Sequence, residues 1–166
     1  MGTKRVGWAR IRSLINENTN LMSISRPQYV KATATMTLTD AQSGQTVLVG
    51  PAAAGLAATA EIALPSAANG LYFRFVYAGN AADAQNFEID TGADANFFIG
   101  GVVQHDPDNA GDDTVLFHPN GSSNSTCTII TPDSGTEIEV WCDGTNWFIS
   151  GRAITATDTG VEFNDQ

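Results

Sequence analysis

Residues 125–151, STCTIITPDSGTEIEVWCDGTNWFISG, set two short polar turns between three runs of alternating apolar residues. Successive side chains of a β-strand point to opposite faces, so such alternation marks strands with one buried face. If Asp133-Ser-Gly-Thr136 is a four-residue hairpin loop, Pro132 faces Glu137, Ile129 faces Val140, and Cys127 lies opposite Cys142. The loop Asp143-Gly-Thr-Asn146 then sets Cys142 opposite Trp147 and Val140 opposite Ile149. One face of this meander carries Cys127, Ile129, Ile138, Val140, Cys142, Trp147 and Ile149, and is expected to be core. The other carries Thr128, Ile130, Glu139, Trp141 and Phe148. The Trp141/Phe148 cross-strand pair is large for a wetted surface, so it is expected to be an interface that receives another segment or subunit.

The remaining runs extend the β reading. Val30 to Leu38 alternates with Ala32, Ala34 and Met36 inward, and Thr39 to Gly44 reads as a turn or single helical turn before a short strand at Gln45 to Val49. Ala57 to Leu64 predicts a strand with Ala58, Ala60, Ile62 and Leu64 on its core side. Gly70 to Tyr77 follows, with Leu71, Phe73, Phe75 and Tyr77 on one face and Arg74 on the other, placed to pair with a carboxylate. Asn86 to Asp90 and Asn96 to Val103 read as a hairpin, and Thr114 to His118 as a further strand. Asn96-Phe-Phe-Ile-Gly-Gly101 echoes Asn146-Trp-Phe-Ile-Ser-Gly151, as two similar hairpins in facing sheets would, though six residues do not make a repeat. The expected fold is all-β, an antiparallel β-sandwich or small barrel of about 8–10 strands. It carries an extended, partly helical N-terminal arm.

Charge divides the chain. The first 31 residues hold Lys4, Arg5, Arg10, Arg12, Arg26 and Lys31 against Glu17, a balance of +5, whereas the remaining 135 carry −15. This predicts a basic arm over residues 1–29 and an acidic β domain over 30–166. In the arm, Trp8, Ile11 and Ile15 recur at helical spacing. So short a helix is marginal alone in water and must find a surface. Lys4, Arg5, Trp8, Arg10, Ile11, Arg12, Ile15 and Arg26 are therefore the candidate contact residues. An acidic body disfavours nucleic acid, whose binding rests on neutralising phosphates. The chain holds no run near the ~20 apolar residues of a membrane span and no signal-peptide-like apolar region at its start. Both readings point to a reducing, soluble compartment, where Cys127 and Cys142 are expected to be free and buried.

Little in the sequence resembles catalytic or metal chemistry. In the stretch 105–113, Asp106 and Asp108 fill the first and third positions of a calcium-loop template, with Gly111 at the sixth and Asp112 at the seventh. Ala110 stands at the fifth and Phe117 at the twelfth, where the bidentate carboxylate belongs. Asp106, Asp108 and Asp112 are thus weak metal candidates, and a solvated acidic loop is the plainer reading. His105 and His118 stand in no ligand or triad spacing, and Glu88/Asp90 and Glu137/Glu139 are carboxylate pairs on outward strand positions. No cofactor and no enzymatic activity are expected.

The segments MGTKRVGWARIRSLIN, TATMTLTDAQSG, IALPSAANGLYFRFVYAG and DGTNWFISG together resemble small β-rich virion structural proteins of tailed, cyanophage-type bacteriophages. These include capsid decoration (cement) proteins and tail-fibre-like domains. The resemblance covers most of the chain and rests on turn chemistry and strand packing. It implies a protein made in the host cytoplasm and carried on the outer capsid surface. There it would bind the major capsid protein through the arm and stabilise the head, as a homo-oligomer for which the class favours a trimer. The alternative is a receptor-binding module of a tail fibre or spike, or another tail structural component.

Overall fold

The computed structural model describes residues 7–13, 15, 29–51, 55–108 and 114–166. Among them the chain is all-β, with twelve strands. In chain order these are β1 (Tyr29–Ala32), β2 (Met36–Thr37), β3 (Thr46–Val49), β4 (Ala60–Ala63), β5 (Tyr72–Tyr77) and β6 (Phe87–Asp90). They continue as β7 (Phe98–His105), β8 (Thr114–Phe117), β9 (Thr126–Ile129), β10 (Glu137–Cys142), β11 (Trp147–Ile154) and β12 (Val161–Asn164). A single 3-10 turn, Asp40–Gln42, sits between β2 and β3, where Gln42 Oε1 accepts from the backbone N of Thr39 at 2.8 Å. The described helical residues of the arm are 8–13 and 15.

The strands form two mixed sheets, one ordered β1-β3-β5-β10-β11-β7-β8 and the other β12-β9-β6-β4-β2. This corrects the expectation of an antiparallel fold of 8–10 strands. Pairs β1–β3, β3–β5, β7–β11, β2–β4 and β4–β6 run parallel. The cause is topological. Parallel neighbours need a crossover between them, and in four of the five pairs the crossover is a single strand of the other sheet rather than a helix, while β8, β9 and β10 lie between β7 and β11. From β1 to β6 the chain changes sheet at every step, so β1, β3 and β5 stack in one sheet and β2, β4 and β6 in the other. Only β7–β8 and β10–β11 are consecutive strands paired in one sheet.

Three expected pairings fail for the same reason. The run 30–38 is two strands in opposite sheets, separated by a bend at 33–35 that leaves Ala34 exposed. Segments 86–90 and 96–103 are not a hairpin, since β6 and β7 lie in different sheets. β9 pairs with β6 and β12, not with β10, so Cys127 sits opposite Ile89 and Phe163 rather than Cys142. Between β9 and β10 the chain turns at Thr131, a non-glycine residue at φ 43°. The crossing is fixed by Asp133 N donating to Ile154 O and Asp83 N to Pro132 O, both at 2.8 Å. The Thr131 hydroxyl lies 2.8 Å from that of Thr157, and Thr155 Oγ1 donates to Ile130 O, so the strained residue is held by a hydroxyl network. Strand β4 is also shorter than expected, and Ala58 is exposed.

Both sheets feed one hydrophobic cluster. From the larger come Val47, Phe73, Phe75, Val102, Ile138, Val140 and Trp147; from the smaller come Ile62, Phe87, Ile89, Cys127, Ile129 and Val161, all fully buried. Every residue assigned to the core face of the 126–151 stretch is buried. Both cysteines are free. The echoing segments prove to be neighbours in one sheet: β7 and β11 run parallel with Phe98 beside Trp147 and Ile99 beside Phe148.

Candidate interaction face

The outer face of the seven-stranded sheet is built around the β10–β11 hairpin. Its turn is closed by Asp143, whose Oδ1 accepts from the backbone N of Thr145 and Asn146, each at 2.8 Å. These bonds, that from Asn146 first, hold the Asp143 carboxyl below the usual carboxylate range. The turn sets the expected register: Cys142 opposite Trp147, Trp141 opposite Phe148, Val140 opposite Ile149. Trp141 and Phe148 stack with ring centroids 5.8 Å apart and planes 11° from parallel. Trp141 is 40% exposed, and Ile99 beside Phe148 is 37% exposed. Tyr72 of β5 lies opposite Trp141 on the other side. An apolar row, Tyr72–Trp141–Phe148–Ile99, therefore crosses four strands.

One strand repeat away the face turns polar. Arg74 Nε and Nη2 both reach Glu137 Oε1 at 2.5 Å. The guanidinium, through this hydrogen bond, holds the Glu137 carboxyl below its ordinary value. Tyr72 Oη donates to Glu139 Oε1 at 2.8 Å, and Arg152 Nε donates to Gly135 O at 2.9 Å. Both partners of the Arg74–Glu137 pair are partly exposed, so the pair adds only ~0–1 kcal/mol to stability. Its effect is to fix where the charges stand. Glu137, Glu139, Ser150, Gly151 and Arg152 line an open depression of about 390 Å³. Ser150 pairs laterally with Gly101 of β7, and a side chain at 101 would overlap the carbonyl of Phe117, so the floor stays low. Leu116 of β8, 60% exposed, stands at this border.

The arm residues fall in two groups. Trp8, Ile11 and Ile15 are 70%, 37% and 54% exposed, and Arg10 and Arg12 are exposed beside them. Arg10 N and Ile11 N donate to Gly7 O at 2.9 and 3.2 Å, which starts the helical turn. Lys4, Arg5 and Arg26 lie outside the described residues. Of the weak metal candidates, Asp106 is buried and accepts at Oδ1 from Asp108 N at 2.9 Å, Asp108 is exposed, and Asp112 lies outside the described residues. Among the described residues no three His, Cys, Asp or Glu side chains come together as a metal site. No helix among them is long and apolar enough to cross a membrane.

The depression was not anticipated. Arg152 is one of only two cations after Lys31, and continuing the alternation Phe148, Ser150, Arg152 puts it on the outer face with the Glu137/Glu139 pair. That signal was present in the sequence. Gly101 was not legible, because its place beside Ser150 follows from the parallel β7–β11 pairing.

Fold and face together define an all-β protein of two mixed sheets, one of which presents an aromatic row beside a depression lined by charges of both signs. Set against known protein families, curated proteins and solved structures, the chain matches none.

Proposed function

We propose that the protein is a capsid decoration (cement) protein of a tailed phage. Its two sheets close face to face as a β-sandwich, and the N-terminal arm grips the assembled major capsid lattice. The observation that carries this reading is the arm helix at residues 8–13 and 15, where Trp8, 70% exposed, stands among exposed Arg10, Ile11 and Arg12. A large aromatic ring and cations on one short helix form a two-part grip: apolar burial supplies the attraction, and the cations select an acidic or polar ridge. A protein that binds only the assembled shell stabilises it by mass action, in proportion to the logarithm of free protein over Kd. The likeness of the quoted segments to small virion proteins supports the same reading, as does the +5 arm on a −15 body. The body is a binding scaffold rather than a catalyst, and a closed homo-oligomer, a trimer at a three-fold position, suits a capsid lattice.

Deletion of Met1 to Arg26 tests it. The expected result is a body that folds and melts cooperatively but no longer binds capsids. Truncated protein that decorates heads at unchanged occupancy overturns the arm's role. A receptor-binding module of a tail fibre or spike is the second reading, favoured by exposed Trp141 stacked on half-buried Phe148. Electron microscopy of intact particles separates the two by the position of the density.

A further inference from the structure

We propose that the outer face of the seven-stranded sheet is a binding site for a neutral saccharide, formed by the depression over Ser150 and the Trp141/Phe148 stack beside it. This holds whether the protein sits on a head or a tail.

Three observations carry it. The first is chemical variety in a small space. The depression offers carboxylate acceptors from Glu137 and Glu139, guanidinium donors from Arg152 and a hydroxyl from Ser150 that does both. Glu137 and Glu139 each commit Oε1 to a neighbour in the sheet, Arg74 and Tyr72 respectively. Among the described residues neither Oε2 has a hydrogen-bond partner, so both are left for a ligand, on side chains already held in place. A ligand rich in hydroxyls, each both donor and acceptor, matches that set.

The second is charge. Of the lining side chains Glu137 and Glu139 are acidic and Arg152 is basic, and Arg74, outside the lining, is bonded to Glu137, so the paired charges leave the depression close to neutral. A phosphate or acidic sugar would meet two fixed carboxylates, and a polycation the Arg152 guanidinium. A neutral ligand meets neither penalty and gains charge-assisted hydrogen bonds from Glu137, Glu139 and Arg152.

The third is the aromatic platform. Trp141 opposite Phe148 lies two residues from Glu139 opposite Ser150, about 7 Å along the strands. The negative face of an aromatic ring attracts polarised C–H bonds, which the apolar side of a pyranose presents in a flat array. A short oligosaccharide in the depression therefore extends onto the stack. At about 390 Å³ the depression falls at the small end of the roughly 300–1,000 Å³ range of small-molecule sites. It is open to solvent, which leaves room for a ligand longer than the depression.

The test is titration of the full chain with cellohexaose, mannohexaose and N-acetylchitohexaose, and with an oligogalacturonate as the acidic counterpart. Calorimetry or ligand-observed NMR is the readout. At least one neutral hexasaccharide is expected to bind with a Kd of about 1 mM or tighter, and Trp141→Ala to weaken it about tenfold. Glu139→Gln keeps the shape of the side chain and removes one charge, and is expected to weaken the same ligand about fivefold. Both variants should keep the thermal unfolding midpoint of the parent. If Trp141→Ala alone lowers that midpoint, Glu139→Gln decides. Binding of none of the three neutral sugars overturns the proposal. So does binding unchanged in both variants, or oligogalacturonate binding tighter than every neutral sugar. No capsid enters the measurement, so its failure leaves the arm's role standing.

Discussion

At Tyr77 a phenol meets a carboxylate inside the body. Tyr77 is 4% exposed; its hydroxyl donates to Asp83 Oδ2 at 3.0 Å and lies 3.1 Å from Ala81 O. Asp83, itself buried, also accepts from Leu56 N at 2.8 Å and Gln85 N at 3.1 Å, tying two loop segments to the end of β5. A side chain at Gly79 would overlap the Tyr77 ring, so glycine there leaves the phenol its place. Burial first, and then the hydrogen bond to Asp83, push the Tyr77 pKa from 10.0 up to about 12. The folded state thus favours the protonated phenol. The stability this contributes is fully present below pH 10 and is lost as pH rises from there towards 12. Two pH units correspond to ~2–3 kcal/mol at most. Denaturant midpoints measured across this window should fall in the parent and fall less in Tyr77→Phe. Tyr72, raised by desolvation and then by its bond to Glu139, and the Cys127 thiol, pushed up by burial, contribute to the slope that remains. At neutral pH Tyr77→Phe is expected to cost ~1–3 kcal/mol, because Asp83 loses a donor. Trp147 presents the opposite case. It is fully buried against Phe73, with centroids 6.2 Å apart, and among the described residues its Nε1 finds no partner. Its contribution is therefore one of volume rather than hydrogen bonding.

Strands β9 and β10 show how much of an element the amino-acid pattern carries. The alternation in 126–142 correctly separates buried from outward residues, Cys127, Ile129, Ile138, Val140 and Cys142 all lying in the core. It does not carry which sheet each strand joins. A buried face looks the same whether the next strand lies beside it or across the core, and a polar loop with Asp, Ser and Gly serves as hairpin or as crossing. The β10–β11 register was legible because Asp143 closes a turn by bonds within four residues. The β9–β10 crossing was not, because it is fixed by Ile154 and Asp83, far off in the chain. The same difference decides the candidate face: Trp141 and Phe148 were legible, whereas the depression needs the lateral pairing of β11 with β7. The two cysteines test the observed arrangement. Cys127 and Cys142 are buried and free on strands of opposite sheets, and burial, then the nearby Glu88 charge, pushes the Cys127 thiol up. The native protein is expected to leave both thiols unreacted with an aromatic disulfide reagent while the denatured chain titrates two. Rapid labelling of Cys127 in the folded state would contradict the buried β9.

On the scale of the whole molecule, one core joins two sheets that the chain visits in alternation. Both sheets supply that one cluster, so the body is expected to unfold in one step. Far-UV circular dichroism and tryptophan fluorescence should give coincident denaturant curves. Separate transitions would mean that a sheet stands alone. Contacts between distant parts of the chain dominate, which places folding towards the slow, millisecond-to-second end of the single-domain range. The alternation also works as stitching. Every connection but β7–β8 and β10–β11 passes from one sheet to the other, so the two sheets are laced at many points instead of hinged at one. A protease that nicks any single crossing leaves the remaining stitches in place. A pull on the arm enters through β1, an edge strand, and meets a seam that can fray at its end but has no loose thread along which to unravel.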